Sequence, residues 1–292
     1  MRNAFTPSRV AVTITSLVLI LTGCSQEGQN AEFDSSARAR LDLAESRIIL
    51  PVSDYDLSPA DLKIIDRARE TALGPCMNLK GFQTDPEASG AIGKTGDRLF
   101  GLWNVEWAKH YGYISGPGAR KGTEPPKPPG WDEAHGECAK NPDFVTLTAP
   151  FTPLETFGSE PSLVSKISGD ADGFASNTPE WRKAREDWRA CLRKQGLTPR
   201  TEDRAWSSQQ ANDLLGRIDA NHPSASDKEE EIRIATTEAQ CNQDTRLTQR
   251  LGDLEAGYQA PLIAKNQAAL NEEKTRNQGY VAAAKKYLAD HQ

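Results

Sequence analysis

The chain lacks the short signatures that announce common chemistries. G-x-S-x-G, the Walker loop, the dinucleotide fingerprint, HExxH and CxxC are all missing. Their absence removes the serine-hydrolase elbow, phosphate-cradling loops, zincin helices and thioredoxin-type redox pairs. The nearest approach, FGSEPS at residues 157–162, has no second glycine and is not a nucleophile elbow. Histidine is scarce, at 4 residues. His222 precedes Pro223 in a loop and His291 is next to last, so both read as solvated. Basic charge is in deficit: 35 Lys and Arg against 41 Asp and Glu give a net charge of -6. That argues against a nucleic-acid partner, which needs a basic footprint. It also gives no electrostatic help on an anionic membrane. No convincing set of alternating strands is present, which disfavours a transport-type binding protein built of strands and helices.

What is present begins at the N-terminus. Arg2 and Arg9 form a basic n-region, and residues 10–21 after them are mostly apolar. The run is well short of the ~20 apolar residues that span a bilayer, and it fits the h-region of a secretory signal. It ends in Leu21-Thr22-Gly23-Cys24, small residues before a cysteine. This matches a lipobox. Residues 1–23 are expected to be removed and Cys24 to become an acylated N-terminus. The acyl chains would then anchor the protein at roughly 0.8 kcal/mol per buried CH₂. Residues 24–44 are polar and without apolar periodicity. They are expected to form a flexible tether, about 25 Å in root-mean-square span.

With Cys24 assigned to lipid, Cys76, Cys138, Cys191 and Cys241 remain. An even number outside the cytoplasm suggests two disulfides, for which three pairings exist. A repeat selects among them. One helix opens at Ser58-Pro59 with Asp61 in its first turn, and Leu62, Ile65, Ala68 and Ala72 form its stripe. Gly74-Pro75 is expected to break or end it. A second helix opens at Thr178-Pro179 with Glu180, and Trp181, Ala184, Trp188 and Cys191 share one face. Both stretches contain ARE, and both place a cysteine four intervening residues before Gly and an apolar residue: Cys76…Gly81-Phe82 and Cys191…Gly196-Leu197. Each is followed by one further cysteine, the last on a helix with Ser226 and Glu229 as its expected capping box. The repeat predicts Cys76–Cys138 and Cys191–Cys241, each contributing about 4 kcal/mol. It divides the mature chain into a first helical half, residues 45–170, and a second, residues 171–292.

Leu247, Leu251, Leu254 and Tyr258 open a long C-terminal helix, expected to be interrupted near Pro261. Residues 143–176 give mixed signals. The fold class is mainly α: helical hairpins in two related halves, each with a disulfide.

The sequence offers three candidate sites. Leu99, Trp103, Trp107 and Tyr111 recur every four residues, as on a helix. Trp103, Trp107 and Tyr111 are a candidate ligand surface, although such stripes more often face a core. Asp97, Glu106 and Lys109 form the charged face opposite. Glu106 and His110, four apart, are a conceivable acid/base pair. His135 and Cys138, with Glu133 and Glu137 nearby, are a conceivable half of a zinc site, against the simpler reading of a disulfide cysteine beside a surface histidine. No catalytic, cofactor or metal residue is assigned.

The lipobox, the two cysteine pairs, FGLWNVEWAKHYGY at residues 100–113 and the long C-terminal helix together resemble a group of actinobacterial secreted lipoproteins. The resemblance covers most of the mature chain, through loose motifs, and carries no activity with it. The expectation is an extracytoplasmic, membrane-anchored protein that binds an envelope protein or cell-wall partner without catalysis. The alternative is a cell-surface hydrolase with dispersed carboxylates.

Overall fold

In the computed structural model, residues 31–87, 96–113, 127–153, 161–218 and 224–291 are described. Cys24 and the signal lie outside them, as does His222. Residues 32–292 form one compact unit. Among the described residues are ten α-helices and one two-stranded antiparallel ribbon. In the ribbon, β1 (Arg40–Asp42) pairs with β2 (Arg47–Ile49), Leu41 opposite Ile48. A 3-10 turn (Pro51–Tyr55) leads to α1 (Pro59–Leu79). Then come α2 (Val105–Tyr111), α3 (Trp131–Ala139), α4 (Pro142–Thr148) and α5 (Leu163–Ser176). The chain continues through α6 (Pro179–Lys194) and α7 (Gln209–Arg217). Three long helices close it: α8 (Ala225–Thr245), α9 (Leu247–Lys265) and α10 (Gln267–Asp290).

Both expected disulfides are present, Cys76–Cys138 and Cys191–Cys241, closing sequence separations of 62 and 50. The helix ends that carry them are built alike. Gly81 (φ 82°) and Gly196 (φ 78°) take the left-handed conformation that glycine tolerates best. Gly81 N–H bonds Asn78 O and Phe82 N–H bonds Met77 O, both at 3.0 Å. Gly196 N–H bonds Arg193 O at 3.1 Å and Leu197 N–H bonds Leu192 O at 2.9 Å. These are the two bonds of a Schellman cap. Ser58 and Thr178 cap the opposite ends, accepting from Asp61 N–H and Trp181 N–H.

Several local expectations are corrected. α1 does not stop at Gly74-Pro75 but runs on to Leu79. The usual obstacle before proline is the preceding residue's Cβ, and Gly74 has none. Leu62 is exposed, so the buried stripe of α1 is Ile65, Ala68, Ala72, Leu73 and Met77. The cap of α8 is Ser224, accepting from Asp227 N–H at 3.1 Å, two residues earlier than Ser226 and Glu229. The aromatic stripe does not ride one helix. Asn104 starts α2 by accepting Trp107 N–H, which leaves Leu99 and Trp103 in the irregular segment before it. Of residues 143–176, those described form most of α4, a short 3-10 turn and α5.

The C-terminal helix is interrupted at Arg246 and at Asn266, not at Pro261. Proline cannot donate to the carbonyl four residues back, here that of Gly257. That carbonyl instead accepts Asp34 N–H at 2.9 Å. The same place corrects the tether, because its residues from about 33 onward lie along α9. Phe33 sits over the bare Cα of Gly257 and its ring meets Tyr258 at 4.9 Å. Ala39 is buried where a Cβ on Gly252 would fall 2.7 Å away, and its N–H bonds Asp253 at 3.0 Å.

The main core joins residues from both halves. Phe100 and Trp103 pack in one cluster with Trp181, Trp188, Leu192, Leu247 and Leu251. Ile65 and Ala68 of α1 pack with Val281 and Ala284 of α10. The chain therefore does not separate into two bodies at residue 170.

Candidate functional site

The last three helices hold buried polar side chains at positions a solvated helix would expose. Glu231, Glu238 and Gln259 are fully buried, and Asn242, Glu255, Glu273 and Asn277 nearly so. Most of them bond backbone from irregular segments earlier in the chain. Gln259 accepts Val52 N–H at 3.1 Å, and Glu273 accepts Leu163 N–H at 3.0 Å at the start of α5. Asn242 donates to Phe100 O at 2.9 Å and accepts Thr248 N–H at 3.0 Å. Glu238 accepts Ser208 N–H at 2.7 Å and the Tyr113 hydroxyl, while Glu231 accepts Tyr113 N–H and pairs with Lys228 at 2.7 Å. Such bonds offset the cost of burying each carboxylate or amide. Burial pushes the Glu238 carboxyl up, and pushes the Tyr113 hydroxyl well up with help from Glu238.

This scaffold fixes a cavity of about 650 Å³ between the ribbon, the start of α2 and the junction of α8 with α9. The volume lies in the range of small-ligand sites. Leu41, Leu43 and Val105 give it an apolar wall. The opposite wall carries Gln240, Gln243, Arg246 and Thr248. Asn104 ties the start of α2 to the ribbon within the apolar wall, its Nδ2 donating to Leu43 O at 2.8 Å. Trp103 closes the back, its Nε1 donating to Asp97 O at 2.7 Å, and Asp97 accepts Ile48 N–H at 2.7 Å. The Cys191–Cys241 bridge sits one residue before Asn242 and pins the α8 wall to α6.

The charges of the cavity are few. Glu106 and Lys109 lie on the rim and pair at 2.7 Å, which holds the Glu106 carboxyl below its usual range. Arg250, just beyond the junction, is 2.9 Å from Asp187. Arg246 has no carboxylate at ion-pair distance among the described residues, and its backbone is left-handed at φ 54°.

Of the expected ligand surface, Trp103 belongs to the main core and the cavity's back wall. Trp107 and Tyr111 are half-buried and pack on each other with ring centroids 5.0 Å apart, away from it. The Glu106–His110 pair is not formed: His110 Nδ1 meets the Glu106 backbone carbonyl at 2.8 Å, while the carboxylate goes to Lys109. His135 is no partner of Cys138 in a metal site, because Cys138 is in a disulfide. Its ring stacks on Trp131 and its Nε2 is 3.3 Å from Glu70. Among the described residues no three His, Cys, Asp or Glu side chains come together as metal ligands.

A second arrangement was invisible in the sequence. Asp172 on α5 pairs with Arg204 in the loop before α7 and acts electrostatically on Glu255 of α9. Burial first, and then Asp172, push the Glu255 carboxyl up to about 8. Nothing local marks these residues, which lie on three separate elements. Comparison with protein-family models, with curated proteins and with solved structures found no match.

Proposed function

We propose that this protein is a lipid-anchored, extracytoplasmic binding protein of the bacterial cell envelope, held by acyl chains on Cys24. The observation that supports it most is the pair of disulfides, each fixing a Schellman-capped helix end. Such bridges persist in oxidising compartments. The lipobox ahead of them supplies the export and the anchor. Among the described residues no helix is long and apolar enough to cross a membrane, so any anchoring by these residues would need another device. The cavity favours binding over hydrolysis. Its lining contains one carboxylate, Glu106, and that one is neutralised by Lys109. Hydrolysis by dispersed carboxylates needs two acting together.

Metabolic labelling with a clickable fatty acid tests the anchor. The parent chain should take up label and sediment with membranes. Cys24→Ala should do neither, and a labelled, membrane-bound Cys24→Ala protein would refute it. Crosslinking from native membranes then tests binding through retention of an envelope partner. The alternative, a cell-surface hydrolase, draws on the Asp172–Glu255 pair, whose raised carboxyl resembles a general acid held protonated. Hydrolytic activity lost in both Asp172→Asn and Glu255→Gln would favour that reading instead.

A further inference from the structure

The six tryptophans differ in what their indole N–H groups meet. Trp103 donates to Asp97 O at 2.7 Å and Trp131 to Gln83 O at 3.3 Å. The N–H groups of Trp107 and Trp188 are sealed in the interior without a partner. Those of Trp181 and Trp206 also lack a partner among the described residues, but neither is shut off from solvent. Both of these side chains line one pocket of about 380 Å³, between the end of α5, the start of α6 and the loop before α7. It shares no lining residue with the cavity at the junction of α8 and α9. Its volume lies at the lower end of small-molecule sites. Trp181 is only 6% exposed, so a ligand reaches its N–H from this pocket. Phe100 meets both indoles edge-on, with ring centroids 5.6 Å and 6.0 Å away, and Trp188 packs on Trp206 at 6.1 Å. Two free donors are thus held in place before any ligand arrives, which lowers the entropy lost on binding.

The charge around this pocket is opposite to that of the chain. Arg182, Arg185 and Arg204 line it, and Asp203 is the one carboxylate among the lining residues. Arg185 lies over the Trp206 ring, 5.2 Å from its centroid, donates to Glu202 O and stands 3.4 Å from Asp203. Arg204 pairs with Asp172. Arg182 is exposed and its guanidinium has no partner among the described residues. Three cations therefore face two carboxylates, in a chain whose net charge is -6. The end of α6 adds nothing here, because Thr178 already accepts the Trp181 backbone N–H at 3.1 Å. Donation into the pocket falls to side chains.

We propose that this pocket binds a small polar molecule through a singly charged oxyanion, a carboxylate or a phosphodiester. The oxyanion takes the charge of Arg182 and the N–H groups of Trp181 and Trp206. Guanidinium and indole donate and do not accept, so they select an acceptor. Hydrogen bonds from a guanidinium to an oxyanion are among the strong ones. Inorganic phosphate, with nearly two charges, exceeds the one positive charge left over and meets Asp203 in the wall.

Tryptophan fluorescence of the purified full chain reports on the site, and calorimetry measures affinity independently of the fluorophores. The probes are glucuronate, its uncharged methyl ester, diethyl phosphate and inorganic phosphate. Glucuronate or diethyl phosphate should bind saturably, and the tighter of the two names the source of the oxyanion. The ester and inorganic phosphate should bind at least about tenfold more weakly than that anion. Arg182→Gln removes an exposed side chain without a partner, and Trp206→Phe removes one N–H while keeping a ring. Each should weaken the tighter anion about tenfold in calorimetry. Arg193→Gln takes the same charge from α6 outside the pocket, where it pairs with Glu186, and should leave binding unchanged. Absence of saturable binding by both anions, an ester as tight as glucuronate, inorganic phosphate as tight as the better anion, unaltered binding by Arg182→Gln, or equal weakening by Arg193→Gln would each overturn the assignment. None of these outcomes touches the labelling and crosslinking tests of the binding-protein reading, on which the assignment rests.

Discussion

Cys76 and Cys191 hold the same place relative to a helix end. Each stands five residues before a left-handed glycine, each is half-buried, and each bridges to a fully buried cysteine. Their surroundings differ. Cys191–Cys241 is embedded in the main core among Trp181, Trp188, Leu192 and Leu247. Cys76–Cys138 belongs to a smaller cluster with Met77, Ala134 and Phe144, closed over by Tyr287 of α10. One covalent device thus serves two purposes. At the second end it reinforces contacts that already hold the molecule together, and it fixes the α8 wall of the cavity. At the first it keeps two short helices, α3 and α4, on the side of α1.

Core substitutions should break the comparison most clearly. Trp188 is 1% exposed and contacts the large cluster, so Trp188→Ala should cost about 5 kcal/mol, the upper range for a buried aromatic. Phe144→Ala, in the smaller cluster, should cost about 3 kcal/mol, because fewer neighbours surround the cavity it leaves and they can relax into it. Urea unfolding midpoints measure both. A Phe144→Ala loss as large as that of Trp188→Ala would mean the two ends are one cooperative core.

The bridges come next. Loop closure alone makes them nearly equal, at about 4 kcal/mol each, with a difference of only ~0.2 kcal/mol from separations of 62 and 50. Any larger gap between the double variants Cys191→Ala/Cys241→Ala and Cys76→Ala/Cys138→Ala therefore reports the native surroundings. Loss of Cys191–Cys241 should lower the global midpoint more. Loss of Cys76–Cys138 should mainly speed amide exchange in α3 and α4. Faster exchange at α8 in the Cys76→Ala/Cys138→Ala variant would contradict the assignment.

What could be read from the sequence, and what could not, divides along the same physical line. The caps at Ser58 and Thr178, the glycine stops and the cysteine pairing are local: each is set by residues within one helical turn or by a repeated spacing. The misreadings were long-range. Pro261 reads as a break in the sequence because the segment that supplies Gly257's missing donor, at Asp34, lies far away in the chain. Glu231 and Glu238 sit in an acidic stretch that reads as a solvated face, and only Tyr113 and Ser208, brought from elsewhere, show that they are buried. The cavity was missed for the same reason. Its walls come from the ribbon, α2, α8 and α9, and of Trp103, Trp107 and Tyr111 only Trp103 lines it, with Glu106 and Lys109 at its rim.

Titration should show a smaller contrast. Glu255 carries a carboxyl raised from 4.5 to about 8, chiefly by burial. Below about 4.5 the folded and unfolded chains both hold the proton. Between about 4.5 and 8 the unfolded chain releases it and the folded chain keeps it, so stability falls as pH rises. The loss should amount to a few kcal/mol and level off above the folded value. Unfolding midpoints at about pH 5 and about pH 9 measure it. Glu255→Gln should flatten that slope. An unchanged slope would show that Glu255 is not the group responsible.

The smallest expected effect is the sharpest test of sameness. Gly81 and Gly196 have left-handed backbones, at φ 82° and 78°. At each, an added Cβ would meet nothing within 4 Å. Alanine at either site therefore brings no clash and loses no contact. It brings only the backbone penalty of an L-residue in that region, about 1–2 kcal/mol, partly offset by a less flexible unfolded chain. Gly81→Ala and Gly196→Ala should thus cost about 1 kcal/mol each, equal within a few tenths, although the cores beside them differ. Paired thermal melts of the two variants make the measurement. A clearly larger loss at Gly196 would mean that its cap transmits strain into the Trp188 cluster, and that the two helix ends are alike in geometry but not in energy.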